Sequence, residues 1–122
     1  MSTANKRAGT LFLKLDGELQ EAKGEFTYNL GLPKREAIVG ADGVHGYKET
    51  PQVPFIEGAI TDRAGLELKT LQTMDGVTVT LELAHGKTIV LREAWYAGEG
   101  TVKSGESEIP VRFEGQTAEE MS

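Results

Sequence analysis

The stretch Val77-Thr78-Val79-Thr80-Leu81-Glu82-Leu83 decides the fold class, because apolar and polar residues alternate along it without interruption. A period of two places successive side chains on opposite faces of a β-strand, so this segment predicts a strand with one buried face. Thr78, Thr80 and Glu82 are then expected on the outward face. Shorter segments with similar alternation lie on both sides of it, which favours a mainly β, antiparallel protein.

Turn signals separate these segments, and the chain contains 15 glycines. Asp16-Gly17 predicts a tight hairpin between a strand over 11–15 and a return strand over 18–22. His85-Gly86 predicts a second tight turn after the opening stretch. Further strands are expected over the remaining apolar segments, at residues 25–30, 36–39, 53–61, 87–93, 94–102 and 109–113.

One helix is predicted, over residues 63–72. Asp62 has a side chain suited to capping its first turn, and Ala64, Leu68 and Leu71 recur at helical spacing. Such a stripe would pack one face of the helix against a sheet.

The 122 residues predict a single domain, 1–122, and the absence of cysteine excludes disulfides and thiol chemistry. Residues 1–8 and 115–122 are expected to be flexible termini. Residues 40–52 show neither strand nor helix periodicity and are therefore predicted to form a loop. This loop is long, because most connections in a compact domain have about five residues.

The formal charge is −6, from 13 basic and 19 acidic residues. A chain this acidic is not expected to grip nucleic acid, because phosphate binding needs clustered Lys and Arg. No apolar run is long enough to predict a membrane-spanning helix, so membrane insertion is not expected.

No catalytic, cofactor-binding or metal-binding residue is predicted. The two histidines, His45 and His85, lie forty positions apart and form no metal-ligand motif, and no serine sits in a nucleophile-elbow sequence. Gly40, Gly43 and Gly46 lack the Gly-Lys-Ser/Thr ending of a phosphate loop. Their spacing is better read as a loop that bends sharply near another backbone.

Several longer motifs resemble the Mu-like phage tail tube protein family, over roughly residues 7–116. The most specific of them is the run Lys34-Arg35-Glu36-Ala37-Ile38-Val39-Gly40-Ala41-Asp42-Gly43-Val44-His45-Gly46-Tyr47-Lys48-Glu49. The others begin at Gly24-Glu25-Phe26, Pro51-Gln52-Val53, Val79-Thr80-Leu81, Leu91-Arg92-Glu93 and Val111-Arg112-Phe113. His85-Gly86 stands where this family is expected to have Asn-Gly.

The resemblance implies an antiparallel β-sandwich or barrel-like tail tube fold with one flanking α-helix, and a structural rather than enzymatic role. Six subunits would form a ring, and stacked rings would form the inner tube of a contractile tail that delivers DNA during infection. The implied partners are further copies of the chain, the tail sheath, the baseplate and the tail terminator, with DNA passing transiently and without tight binding. The implied location is the virion tail, and the host cytoplasm during assembly.

Two sets of contact residues follow from this expectation. The 40–52 loop is the element that reaches neighbouring subunits or rings, with Gly40, Asp42, Gly43, Val44, His45, Gly46, Tyr47, Lys48 and Glu49 as candidates. For Val44 and Tyr47 the alternative is packing in the core of their own subunit. Thr78, Thr80 and Glu82 are candidates for the lumen wall, with a sheath-facing position as the alternative. Trp95 and Tyr96 are assigned to the core, with an interface as the alternative.

Three other functions stay open. The chain could be a β-sandwich that binds a small ligand or carbohydrate, with the 40–52 loop as a lid. It could be the tube component of a phage-derived secretion particle. The third alternative is an enzyme that uses a carboxylate pair.

Overall fold

The computed structural model describes residues 11–122, so the predicted flexible terminus at residues 1–8 lies outside it. Within that range the chain forms ten β-strands and one short helix. In chain order they are β1 (Phe12–Leu15), β2 (Glu18–Gln20), β3 (Ala22–Asn29), β4 (Lys34–Gly40), β5 (Gly43–Thr50), β6 (Phe55–Thr61), α1 (Leu68–Gln72), β7 (Val77–Glu82), β8 (Thr88–Tyr96), β9 (Glu108–Glu114) and β10 (Thr117–Met121). Every strand pair is antiparallel, which confirms the predicted mainly β class.

The predicted turns are confirmed. Asp16 and Gly17 have φ angles of 53° and 84°, as a two-residue hairpin turn with positive φ at both positions requires, and Leu15 lies opposite Glu18. Gly86, with φ 99°, completes the turn between β7 and β8.

The alternation in β7 is also confirmed. Val77, Val79 and Leu81 are buried, whereas the residues between them are half-buried. β7 lies between β1 and β8, so its buried residues face the centre of the molecule.

The larger sheet closes almost completely on itself. Its strand order is β2-β1-β7-β8-β9-β6-β3, and β10 pairs with β8. The two ends of this order are joined through one residue, Glu21, whose carbonyl accepts a hydrogen bond of 2.8 Å from the Thr61 amide. The paired strands therefore follow a barrel-like circuit around one apolar core.

Residues from nearly every strand of this sheet, and Leu71 of α1, form that core. Tyr96 packs edge-on against Phe113, with ring centroids 5.5 Å apart, and so contributes to it. Trp95 is half-buried and is not among the core residues. The fully buried side chains include Leu13, Ile56, Ile60, Leu71, Val79, Leu81, Ile89, Leu91, Ile109 and Phe113.

The prediction of a long loop over residues 40–52 is wrong. Residues Gly43–Thr50 form β5, which pairs with β4 in a two-stranded sheet of its own. All eight residues of β5 are exposed. A strand that buries neither face has no reason to alternate apolar and polar residues, so periodicity could not reveal it.

The predicted helix is too long, because α1 contains only Leu68–Gln72. Glu67 precedes it without a side-chain cap, and Ala64 is exposed rather than part of an apolar stripe. Two features oppose an earlier start. Gly65 disfavours helix by about 1 kcal/mol relative to alanine, and the Asp62 amide donates to the Ser107 carbonyl at 2.9 Å.

Two further differences concern strand ends. The flexible terminus predicted over 115–122 instead contains β10, which pairs along β8 from Thr117 opposite Arg92 to Met121 opposite Thr88. The strand predicted over 94–102 stops at Tyr96. Gly115 lets β9 turn into β10, since a Cβ built there would lie 2.8 Å from the Arg92 carbonyl oxygen.

Candidate assembly surfaces

The hairpin of β4 and β5 is the most exposed element among residues 11–122. Among the strands of the described range, β4 and β5 pair only with each other. Every residue in them is exposed apart from Glu36 and Gly40, which are half-buried. An eight-residue strand is about 25 Å long at standard rise. The hairpin therefore offers a long element whose two faces are not covered by the other residues between 11 and 122.

One face of this hairpin is apolar. Val39 lies opposite Val44, and Ala37 lies opposite Tyr47, with a register shift between the two pairs. The exposed fractions of Val39, Val44 and Tyr47 are 69%, 72% and 54%. We refer to Ala37, Val39, Val44 and Tyr47 as the apolar hairpin face. The guanidinium of Arg35 lies 4.8 Å from the centroid of the Tyr47 ring.

Polar contacts order the tip of the hairpin. His45 Nε2 and Asp42 Oδ1 are 2.7 Å apart and share a hydrogen bond. The imidazole lies against Gly40, where a Cβ would be 2.6 Å from His45 Cε1, and both Gly43 and Gly46 have positive φ. Gly40 thus makes room for the imidazole, whereas Gly43 and Gly46 supply positive φ at the start of β5 and within it.

Lys48 and Glu49 lie nearer the base of the hairpin. Lys48 is opposite Glu36, and Glu49 is opposite Arg35, with 3.8 Å between Glu49 Oε2 and Arg35 Nε. The structure therefore collects the nine contact candidates from Gly40 to Glu49 on one exposed hairpin, rather than on a loop. Their role in assembly stays a prediction.

Thr78, Thr80 and Glu82 share the outward face of β7, which we call the outer β7 face. Glu82 Oε2 lies 2.7 Å from Lys14 Nζ on β1. On neighbouring strands of the same sheet, Arg92 of β8 forms an ion pair with Glu119 of β10. These two carboxylates are thus paired with neighbouring cations, and this surface is less acidic than the whole-chain charge suggests.

The larger sheet leaves three strands with an open side. Within residues 11–122, β2 pairs only with β1, β3 only with β6, and β10 only with β8. Unpaired backbone groups along such edges are available to a strand from another chain.

A groove of about 360 Å³ lies beside β6 and β9, and a second of about 290 Å³ lies between β1, β2 and α1. Residues of the β4–β5 hairpin line neither groove, so the hairpin does not act as a lid over either of them. In the range 11–122, no three His, Asp or Glu side chains form a group that could hold a metal ion. None of the helices described there is long and apolar enough to cross a membrane.

Sequence reasoning missed a charged cluster beside the first groove. Arg112 lies 3.2 Å from Glu57 and 3.0 Å from Glu114, and its guanidinium is 4.1 Å from the centroid of the Phe55 ring. The cluster depends on the pairing of β6 with β9, which are far apart in sequence. Only the outward positions of Arg112 and Glu114 in β9 could have indicated it.

Burial alters the pKa of one tyrosine that packs against the core. Desolvation raises the pKa of Tyr96 above its ordinary value, and a backbone hydrogen bond at Gly100 partly opposes this rise. The phenol also donates to the Pro110 carbonyl at 3.2 Å. Burial and the bond to Pro110 therefore favour the neutral phenol.

Comparison with known proteins identifies the family of this chain. A profile of the phage tail tube protein family matches residues 4–120. The tail tube protein of Escherichia phage Mu is 29% identical over 103 residues, which cover 84% of this chain and 86% of that protein.

Two solved structures share the fold at 10% sequence identity. The tube-terminating cap of the anti-feeding prophage has a TM-score of 0.61, covering 92% of this chain and 87% of the other. The sheath/tube terminator of the extracellular contractile injection system PVC, in its extended state, has a TM-score of 0.62, with 92% and 93% covered. Since the family profile spans nearly the whole chain and the fold agrees with it, the chain belongs to the phage tail tube protein family and is a structural tail tube subunit.

Proposed function

We propose that copies of this chain form hexameric rings, which stack into the inner tube of a contractile phage tail and conduct DNA during infection. The observation that carries this proposal is the uncovered apolar face of the β4–β5 hairpin. Val39, Val44 and Tyr47 expose a contiguous apolar surface to water, and such a surface is typical of a site that another protein covers. In a subunit that polymerises, the covering surface belongs to another copy.

The open sides of β3 and β10 support lateral assembly. An exposed strand edge invites pairing with another chain, and closure into a ring satisfies all such edges at once. The hairpin then serves contacts between stacked rings, through the candidates from Gly40 to Glu49. A head-to-tail arrangement of this kind uses two different surfaces of the same subunit.

The outer β7 face is suited to the lumen. Thr78 and Thr80 are uncharged, and Glu82 is paired with Lys14 at 2.7 Å. DNA is held by unpaired Lys and Arg that release its counterions. A wall whose cations are already paired with carboxylates offers little attraction, so DNA passes without tight binding.

Sheath, baseplate and tail-terminator proteins are the proposed partners at the outside and the ends of this tube. The subunit belongs to the virion tail, and we propose that it assembles in the host cytoplasm. A tube in a phage-derived secretion particle would use the same contacts and differ in what it conducts. The phage tail is favoured, because the curated relative is a phage protein.

Shortening the hairpin tests the proposal. Glu36 lies opposite Lys48, so residues 37–47 can be replaced by Asn-Gly, a pair suited to a two-residue hairpin turn. The shortened protein should keep its β circular-dichroism spectrum, because the hairpin pairs with no strand of the larger sheet. Electron microscopy of concentrated protein should show tubules for the intact chain and none for the shortened one. Equal tubule formation by both would contradict the proposed role of the hairpin.

A further inference from the structure

The groove beside β6 and β9 is a concave surface that could hold side chains of another molecule. It encloses about 360 Å³, and its walls come from Glu57 and Gly58 of β6, residues 97–101, and Pro110–Arg112 of β9. Its three glycines, Gly58, Gly98 and Gly100, lie against Phe26, Tyr96 and Gln72 of the same chain. The volume beside them is open to side chains of an incoming partner.

The rim of this groove has an excess of negative charge. Arg112 is the cation among its lining residues, and it already contacts both Glu57 and Glu114. Glu99, also on the rim, is exposed and forms no ion pair with any part of the chain from residue 11 onward. A partner that brings a cation beside an apolar side chain would complement this surface.

The apolar hairpin face has that combination. Tyr47 and Val44 are large and exposed, and the Arg35 guanidinium lies over the Tyr47 ring. Arg35 is held only loosely by Glu49, at 3.8 Å. The cation would therefore enter a contact together with the tyrosine.

We infer that the groove beside β6 and β9 receives the apolar hairpin face of a second copy of this chain, with Arg35 meeting the carboxylates of Glu57 and Glu99. This inference rests on the proposed self-assembly and names its receiving surface. The two surfaces are both open in the single chain, since no residue of the hairpin lines the groove. A contact between two different surfaces of identical chains repeats from copy to copy, as a growing tube requires.

Disulfide trapping between separate molecules tests the contact directly, because the chain contains no cysteine. One preparation carries Val44→Cys on the hairpin, and a second carries Thr101→Cys, which lines the groove. A control preparation carries Leu19→Cys, an exposed position on β2 outside the groove. After mixing and mild oxidation, the hairpin–groove heterodimer should exceed the hairpin–control heterodimer by about tenfold, since a docked contact raises the effective concentration of the two thiols. Equal yields would overturn the inference.

A charge exchange gives an independent readout. Arg35→Glu and Glu99→Arg, each introduced into both trapping partners, should lower the heterodimer yield by about tenfold through like-charge repulsion. Combining the two substitutions should restore the yield, because the opposite charges again face each other. All variants should retain the wild-type circular-dichroism spectrum, since both side chains are exposed. A combined variant that traps no better than the single variants would contradict the assigned pairing.

Electron microscopy of the mixed samples separates this inference from the proposed function. Tubules without the hairpin–groove disulfide would overturn the receiving surface and leave the tube function standing. The disulfide without tubules would support the contact and count against the tube. The absence of both the disulfide and the tubules would contradict the receiving surface and the tube function together.

Discussion

The aromatic ring of Phe26 lies directly against Gly58 on the neighbouring strand. A Cβ built on Gly58 would be 2.6 Å from two carbons of that ring. Phe26 is buried in the core although β3 is a strand with one open side. The missing side chain at Gly58 therefore lets a large aromatic side chain fix β3 against β6.

Gly58→Ala should destabilise the protein, because the new methyl group would overlap the Phe26 ring. Overpacking of this kind costs about 1–3 kcal/mol of unfolding free energy. Gly105→Ala is the matched control, since a Cβ there would meet no atom within 4 Å. Urea unfolding of both variants measures the difference. Equal midpoints for Gly58→Ala and the wild type would show that the ring moves aside at no cost.

Val44→Thr should impair assembly without weakening the folded subunit. Val44 is exposed, so the substitution should change the unfolding free energy by no more than about 0.5 kcal/mol. Removing apolar surface from the hairpin face should reduce tubule formation in electron micrographs at a fixed protein concentration. Ile38→Thr is the control, because Ile38 precedes Val39 in β4 and lies on the opposite face. A larger loss of tubules for Ile38→Thr than for Val44→Thr would show that the contact uses the opposite face of the hairpin, and would contradict the prediction.

The raised pKa of Tyr96 predicts a loss of stability at alkaline pH. In the unfolded chain this phenol ionises near its ordinary value of 10.0, whereas the fold favours the neutral form. The contribution to stability is therefore complete below pH 10 and is lost as the pH rises through the higher pKa of the folded state. The free energy of unfolding, measured with a chemical denaturant from about pH 8 to pH 11, should fall more steeply with pH for the wild type than for Tyr96→Phe, which cannot ionise. Parallel curves would contradict the burial effect.

Lysine at Thr78, Thr80 and Glu82 together should slow the passage of DNA. The triple variant adds unpaired cations to the proposed lumen wall and removes the partner of Lys14. We expect infectivity to fall by at least about tenfold, because every subunit would then contribute phosphate contacts. Lysine at Ser104, Gly105 and Glu106 changes the formal charge by the same amount, on an exposed turn. Equal infectivity of the two triple variants at equal virion yield would show that the outer β7 face does not line the lumen.

The β1–β2 hairpin and β7 could be predicted from the sequence because local physics determines them. Asp16-Gly17 is one of the few pairs that accept positive φ at both turn positions, and the β7 alternation follows from one buried face. The β4–β5 hairpin could not be predicted in this way. Both of its faces are exposed in the single subunit, so no buried face imposes an alternation of apolar and polar residues on it.

β10 was missed for a related reason. Its residues are mostly exposed, and only Ala118 packs against the core. Backbone pairing with β8 and the ion pairs of Glu119 and Glu120 with Arg92 and Lys87 hold it in place. Such long-range contacts leave no periodic signal. For the candidate site, the sequence indicated the segment that forms the exposed hairpin, whose role in assembly stays a prediction. The groove lined by Arg112 and Glu99 depends on strand pairings that only the fold reveals.

Electron cryomicroscopy of the purified, concentrated protein is the most direct test of self-assembly. We expect stacked rings of six subunits around a channel wide enough for duplex DNA, with the β4–β5 hairpin in contact with a neighbouring copy. Single subunits at every concentration, with the apolar hairpin face still exposed to solvent, would contradict it.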